Sequence, residues 1–266
     1  MSDDPRFPLP AVPGAGEQPI HVQVNYAGEP PEVAFYRRLF GLTPRIYVTH
    51  ALIAANALVF GLMVLTGGGF FDPTPQQMLR WGAGFGPLTT HGQSWRLFTE
   101  MFVHFGIIHI GMNMFVLWQG GQIVERLFGN FTYLVIYILS GLTGSFVSLH
   151  FHPGSLTGGA SGAVFGVFGA LLGYLYVQRG AVPAQILRSL GNSVGVFVVY
   201  NFIFAMMSKE VDLSAHGGGL VGGMILGGLL SRKLDKPVNR WRTIAVAVVG
   251  IGIFVFLATH LRPIPY

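Results

Sequence analysis

The chain has no cysteine, so it can form no disulfide, thiol nucleophile or thiolate metal site, and redox chemistry says nothing of its compartment. Charge is almost as scarce. Charged residues make up 10% of the 266 and hydrophobic residues 51%, whereas soluble domains are about 25% charged. With a mean hydropathy of +0.54, the composition is that of a polytopic membrane protein. Acidic side chains are outnumbered, 11 against 16 basic, for a formal charge of +5. That excess does not point to nucleic acid, because the Lys and Arg residues are scattered between apolar runs rather than gathered on one face. They read as topology signals, and no nucleic-acid partner is expected. The N-terminus, with Asp3, Asp4 and several prolines ahead of any apolar run, does not resemble a cleaved signal peptide.

Apolar runs and glycine are what the chain has in abundance. Residues 1–43 are expected to form a mobile N-terminal cytoplasmic tail, ending in an amphipathic helix over about 32–42 at the membrane surface. Seven spans are expected, over about 46–65, 98–118, 131–149, 161–177, 186–206, 213–230 and 244–261. The connection over about 67–96 carries Phe70, Phe71, Trp81, Phe85 and Trp95, a density of rings that suits the headgroup level. Arg37, Arg38, Arg45, Arg126, Arg179, Arg188 and the cluster Arg232, Lys233, Lys236, Arg240 and Arg242 fall on one side of this topology. The other side holds only Arg80, Arg96, Lys209 and Arg262. The N-terminus is therefore expected in the cytoplasm and the C-terminus on the opposite side, in a bacterial inner membrane.

The rest of the reading turns on residues 158–166, Gly-Gly-Ala-Ser-Gly-Ala-Val-Phe-Gly, where Ser161 opens an apolar run of nearly spanning length. Glycines there let a bound chain approach, and helix-start amides offer donors to a developing negative charge. Gly162, Gly166, Gly169 and Gly173 equally suit close packing of membrane helices, and this stretch alone leaves both readings open.

Polar groups inside the other runs bear on the choice, since imidazoles and amides at membrane depth are costly unless paired or used. His109 and Asn113, four apart, share a helix face, while His104 is expected to be rotated off it. His216 stands among glycines in the sixth run, where small residues bring a neighbouring helix within reach. A hydroxyl, an imidazole on another helix and an imidazole with an amide on one face are the parts needed for acyl transfer. Ser161 would attack, His216 would take and return the proton, and His109, Asn113 and the Ser161 N–H would hold the oxyanion. Zinc on His104, His109 and His216 is the chemical rival, but the spacing is not that of a metalloprotease helix and no Glu follows the first histidine. No metal and no cofactor are expected.

With these motifs in place, the chain resembles the rhomboid family of intramembrane serine proteases. The resemblance rests on Trp95-Arg96, on His104 through His109 to Asn113, on Gly121-x-x-x-Glu125-x-x-x-Gly129, on Gly159-Ala160-Ser161-Gly162 and on Ala215-His216-x-x-Gly219-x-x-x-Gly223, and it covers about 44–231. It implies an all-α polytopic fold: a six-helix core over 44–231 in which Ser161 and His216 share a water-filled cavity, followed by a basic loop and a seventh transmembrane helix over 232–266. It further implies cleavage of the transmembrane segments of other proteins near the outer face of the bilayer, with His104, Phe165, Gly159, Gly162 and Gly219 supporting the site. Where relatives often carry a tyrosine stacked on the histidine, Phe165 stands here, and its ring can still stack. Asp212, four before His216, is read as a cap of the sixth span rather than a triad acid.

Outside the site, Glu125 and Arg126 are expected to fix the loop to the third span, Arg96 to snorkel at the interface, His150 and His152 to be solvated, and His50 and His260 to need no special role. Substrates with helix-breaking or small residues near the outer boundary are expected, approaching sideways past the fifth span and the loop 207–214. A non-catalytic binder or escort of transmembrane helices is the competing class. A transporter is a weaker third, since no inverted repeat is visible.

Overall fold

The computed structural model describes residues 28–207 and 212–265. Lys209, Glu210 and most of the expected tail lie outside the described residues. Pro31 opens α1 (Pro31–Leu42), the expected interfacial helix, which buries Phe35 and Leu39 and leaves Arg37, Arg38 and Phe40 exposed. The helices that correspond to the expected spans are α2 (Val48–Leu65), α6 (Ile107–Phe128), α7 (Asn130–Phe151), α8 (Ser161–Val177), α9 (Ala184–Met207), α10 (Leu213–Leu230) and α11 (Arg240–Thr259). The bounds of α8 and α10 are those expected from the sequence. Among the described residues α2, α7, α10 and α11 are each long and apolar enough to cross a membrane. The fold is thus all-α and polytopic, and α8, at 17 residues, is at the short end of a crossing.

The second expected span is corrected. It does not run straight from residue 98 but breaks into α5 (Arg96–Thr99) with a 3-10 turn (Glu100–Phe102), then bends by 91° into α6. Gly106 makes the break: its φ is 101°, and a Cβ there would lie 2.0 Å from the Phe71 carbonyl oxygen.

At the centre stand α7, α8 and α10. Helix α8 is buried from Gly162 to Leu175 on almost every side, and its interface with α10 is made of backbone. A Cβ on Gly219 would lie 2.0 Å from the Gly162 carbonyl oxygen, one on Gly223 2.0 Å from that of Gly166, and one on Gly227 2.3 Å from that of Ala170. Spaced by four, these glycines form one seam along which no side chain separates the helices. Helix α11 lies outside this trio against α7, joined by the Thr132 and Thr243 hydroxyls at 3.0 Å and by Phe146 edge-on to Phe254.

The long first connection is folded. It contains α3 (Pro75–Arg80), β1 (Gly84–Phe85) and α4 (Gly86–Thr90), and β1 pairs antiparallel with β2 (Leu156–Thr157), matching Gly84 to Thr157. The segment just before Ser161 is thereby bound to the first loop. Arg96 does not snorkel: only 6% exposed, it donates to the Leu79 and Ala83 carbonyls at 2.9 and 2.8 Å and to Gln93 at 2.8 Å. A guanidinium has enough donors to gather a loop whose carbonyls have no helix to satisfy them.

Glu125 also departs from expectation, because it serves α2 rather than the loop to α7. Its carboxylate accepts from the amides of Tyr47, Val48 and Thr49 at 2.9, 2.8 and 2.8 Å and from the Thr49 hydroxyl at 2.6 Å. Those are the orphan donors of a helix start, satisfied here by a distant charge. Asp212 caps α10 as the sequence indicates, accepting from Ser214 N–H at 2.9 Å and Ala215 N–H at 3.1 Å, and it also takes the Ser148 hydroxyl. Burial pushes the Asp212 carboxyl up, but these hydrogen bonds and nearby His152 outweigh it and hold the group below the usual carboxylate range.

Two outcomes follow. Glu125→Ala should lower the thermal stability of the protein in detergent by about 3 kcal/mol, the cost of leaving several buried donors unpaired, read as a fall in unfolding midpoint. Asp212→Ala should cost about 1 kcal/mol at neutral pH. Because the folded carboxyl titrates below its unfolded value, that difference from the unsubstituted chain is full above the unfolded range. It should vanish as the pH falls through the folded value, checked by unfolding midpoints across an acid series.

Candidate active site

A cavity of about 1080 Å³ opens beside α8 and is lined by Ser161, His216, His109, Asn113, Gly159 and Phe165, among others. Ser161 is the first residue of α8, after Ala160 at the cap position, so its amide is one of the helix's unpaired donors. His216 is in the first turn of α10 and is 7% exposed. The two backbones meet here: a Cβ on Gly162 would sit 3.5 Å from the Ala215 carbonyl oxygen. Ser161 and His216 thus enter one cavity from adjoining helices, with no hydrogen bond joining them among the described residues. Such pairs are often long without substrate and tighten in the reacting complex. The Phe165 ring stacks on His216, centroids 4.1 Å apart and planes at 15°, so the stacking expected of a ring without a hydroxyl is made.

Asp212 makes no hydrogen bond to His216 among the described residues. Its oxygens are taken by α10 amides and by the hydroxyls of Ser148 and Ser214, while His216 Nδ1 is buried with no partner among the described residues. The imidazole is oriented by a ring and by packing rather than by a carboxylate.

His109 faces the cavity from α6, and its tautomer follows from its contacts. Phe105 N–H donates to Nδ1 at 3.3 Å, so in the neutral ring Nε2 carries the proton. A Cβ on Gly159 would lie 3.0 Å from that Nε2, which accounts for glycine there, at φ 121° and two residues before Ser161. Asn113 spends one amide hydrogen on the His109 carbonyl at 2.9 Å and keeps the other. Two side-chain donors and the Ser161 amide therefore border the same space.

His104 was expected to point elsewhere, on the assumption of one continuous helix. The bend brings it back: its ring centroid is 5.2 Å from that of His109, and its Nε2 accepts from Ala160 N–H at 3.4 Å. It supports the turn that presents Ser161.

One residue not singled out from the sequence belongs here. Glu100, 7% exposed, accepts Gly159 N–H on its carbonyl at 2.9 Å and the Thr157 hydroxyl on its carboxylate at 2.7 Å, fixing the strand and turn ahead of Ser161. An acid inside an apolar run was the available signal. His152, solvated as expected at 52% exposed, also lines the cavity and reaches Ser214 Oγ at 3.1 Å and Asp212 at 3.4 Å.

The Rhomboid domain family matches residues 91–233. The chain is 32% identical over 213 residues to "Rhomboid protease GluP" of Bacillus subtilis, covering 80% of this chain and 40% of that protein. It is 33% identical over 183 residues to "RHOMBOID-like protein 6, mitochondrial" of Arabidopsis thaliana, 68% of this chain and 58% of that one. "Rhomboid-like protease 1" of Toxoplasma gondii is 32% identical over 197 residues, 73% of this chain and 66% of its own. The chain thus spans between two fifths and two thirds of the length of these relatives. A domain match over more than half of the sequence, spanning the residues from Trp95 to Gly223 that border or support the cavity, places this integral, multi-pass membrane protein in the rhomboid family.

Proposed function

We propose that the protein is an intramembrane serine endopeptidase that cleaves transmembrane segments of other membrane proteins near the outer face of the bilayer. The observation that carries this reading is the convergence of Ser161, His216 and His109 Nε2–H on one cavity beside a glycine seam. His216 takes the Ser161 proton as Oγ attacks the peptide carbonyl, and the charge that develops on oxygen is met by the Ser161 amide, His109 and Asn113. Collapse breaks the C–N bond, His216 returns the proton to the leaving amine, and water releases the acyl group by the same route. Side chains and backbone handle every proton and charge in this sequence.

A helical carbonyl is already bonded within its helix, so the substrate must unwind where it is cut, which favours small or helix-breaking residues there. Substrate reaches the cavity past α9, whose Phe197 stacks on Phe168 and lies 4.8 Å from Phe165. The proposed functional division is a tail over 1–43, a proteolytic core over 44–231 and an added loop and helix over 232–266. Arg126, Arg232 and Arg242 gather at the end of the bundle away from Ser161, bonding the carbonyls of Thr43, Leu127 and Ser231, which supports a cytoplasmic N-terminus in a bacterial inner membrane.

Purified protein should label with a fluorophosphonate probe and cut a single-span reporter. Ser161→Ala and His216→Ala should each abolish labelling and lower cleavage by about a thousandfold or more, whereas a protein that only bound helices would lose nothing. Cleavage that survives both substitutions ends the proposal. His109→Ala should lower kcat by about a hundredfold with little change in KM, the signature of a donor used in the transition state and read from steady-state kinetics.

A further inference from the structure

The cavity does not stop at Ser161. It continues between α6 and α9, with His109, Val116, Gln119 and Ile123 on one wall and Leu190 and Ser193 on the other. Those spacings lay one stripe of each helix along a groove. From His109 to Ile123 the wall runs for about 21 Å at 1.5 Å per residue, the length of a helical segment of about fourteen residues.

Gln119 breaks the apolar character of this groove. It lies near the middle of α6, it is exposed, and its side chain has no hydrogen-bond partner among the described residues. A carboxamide carries two donors and an acceptor, and leaving them unpaired at membrane depth costs free energy until something completes them. A Cβ on neighbouring Gly120 would lie 2.8 Å from the Phe168 ring, and across the groove the Ser193 hydroxyl donates to the Ser189 carbonyl at 3.0 Å rather than to Gln119. Phe168 is seven residues beyond Ser161 on α8, which sets Gln119 about 10 Å further along the bundle than the serine.

We infer that Gln119 determines specificity: the α6–α9 groove seats the transmembrane segment of a substrate, and the Gln119 amide hydrogen-bonds a polar side chain on that segment, about 10 Å deeper than the bond offered to Ser161. A transmembrane segment fits better than lipid on three counts. The groove is continuous with the Ser161 cavity, its length is that of a helix, and its polar group needs a partner that acyl chains lack. The inference rests on the peptidase reading for the position of the cut, but the seating itself needs no cleavage.

The test uses the full chain carrying Ser161→Ala in lipid nanodiscs. Two fluorescent single-span peptides are titrated, identical except for Asn or Leu at the residue about 10 Å beyond the bond offered to Ser161, counting unwound residues at about 3.3 Å and helical ones at about 1.5 Å each. The Asn peptide is expected to bind about fivefold more tightly, as one hydrogen bond inside a bilayer allows. Gln119→Leu and the near-isosteric Gln119→Met should each erase that difference by weakening the Asn peptide alone. Equal binding of the two peptides without a Gln119 substitution overturns the inference, as does a difference that survives both substitutions. Loss of the Leu peptide in both variants overturns it too, because Gln119 would then be supporting the bundle, and so does failure of either peptide to bind, which would leave lipid in the groove. The peptidase reading fails separately, through absence of fluorophosphonate labelling at Ser161 in the unsubstituted chain.

Discussion

Backbone contact between α8 and α10 is the constraint on which the structure depends. A bilayer offers no hydrophobic gain for bringing two apolar helices together, so their association relies on close van der Waals approach. Gly219, Gly223 and Gly227 remove the side chains that would hold the axes apart, and the carbonyls of Gly162, Gly166 and Ala170 occupy the space. Ser161 begins one of these helices and His216 lies in the first turn of the other. A displacement of about 1 Å between reacting groups can cost about a hundredfold in rate, so under the proposed peptidase function a seam that leaves no slack would also serve catalysis. The glycines around Ser161 serve packing, and the close approach they permit is compatible with the proposed chemistry.

A second set of constraints works through buried charge. Arg96, Glu100 and Glu125 are each at most 7% exposed, and each spends its hydrogen-bonding groups on backbone or hydroxyl partners distant in the chain. Leaving such a group unpaired is far costlier than pairing it, so each acts as a fastener with little alternative geometry. Arg96 gathers the first loop, Glu100 holds the turn before Ser161, and Glu125 closes the start of α2. Together with the β1–β2 pairing they make the surroundings of Ser161 rigid although no long element supports the loop side.

Helix α9 contrasts with that rigidity. It meets α8 through stacked rings, Phe197 on Phe168, and not through a glycine seam, and several of its large apolar side chains, Val196, Val199 and Ile203 among them, are more than half exposed. Rings sliding over one another separate at lower cost than interlocked backbones. The wall of the cavity that has least to lose by moving is thus the one past which substrate entry is proposed.

By itself the sequence determined the membrane class, the bounds of α8 and α10, the cap at Asp212 and four polar residues at the cavity, Ser161, His109, Asn113 and His216, because apolar run length, capping chemistry and the cost of polar groups in lipid are local properties. Only the tertiary structure decided the 91° break before α6, which depends on Gly106 meeting the Phe71 carbonyl some 35 residues earlier in the chain. That break returned His104 to the site against the straight-helix reading. The partners of Arg96 and Glu125 were likewise invisible, since a charge in a sequence shows what it can bond but not which distant carbonyl or amide will arrive. Helical periodicity is written residue by residue, whereas the closing of one loop onto another is settled by whichever buried donors and acceptors would otherwise go unpaired.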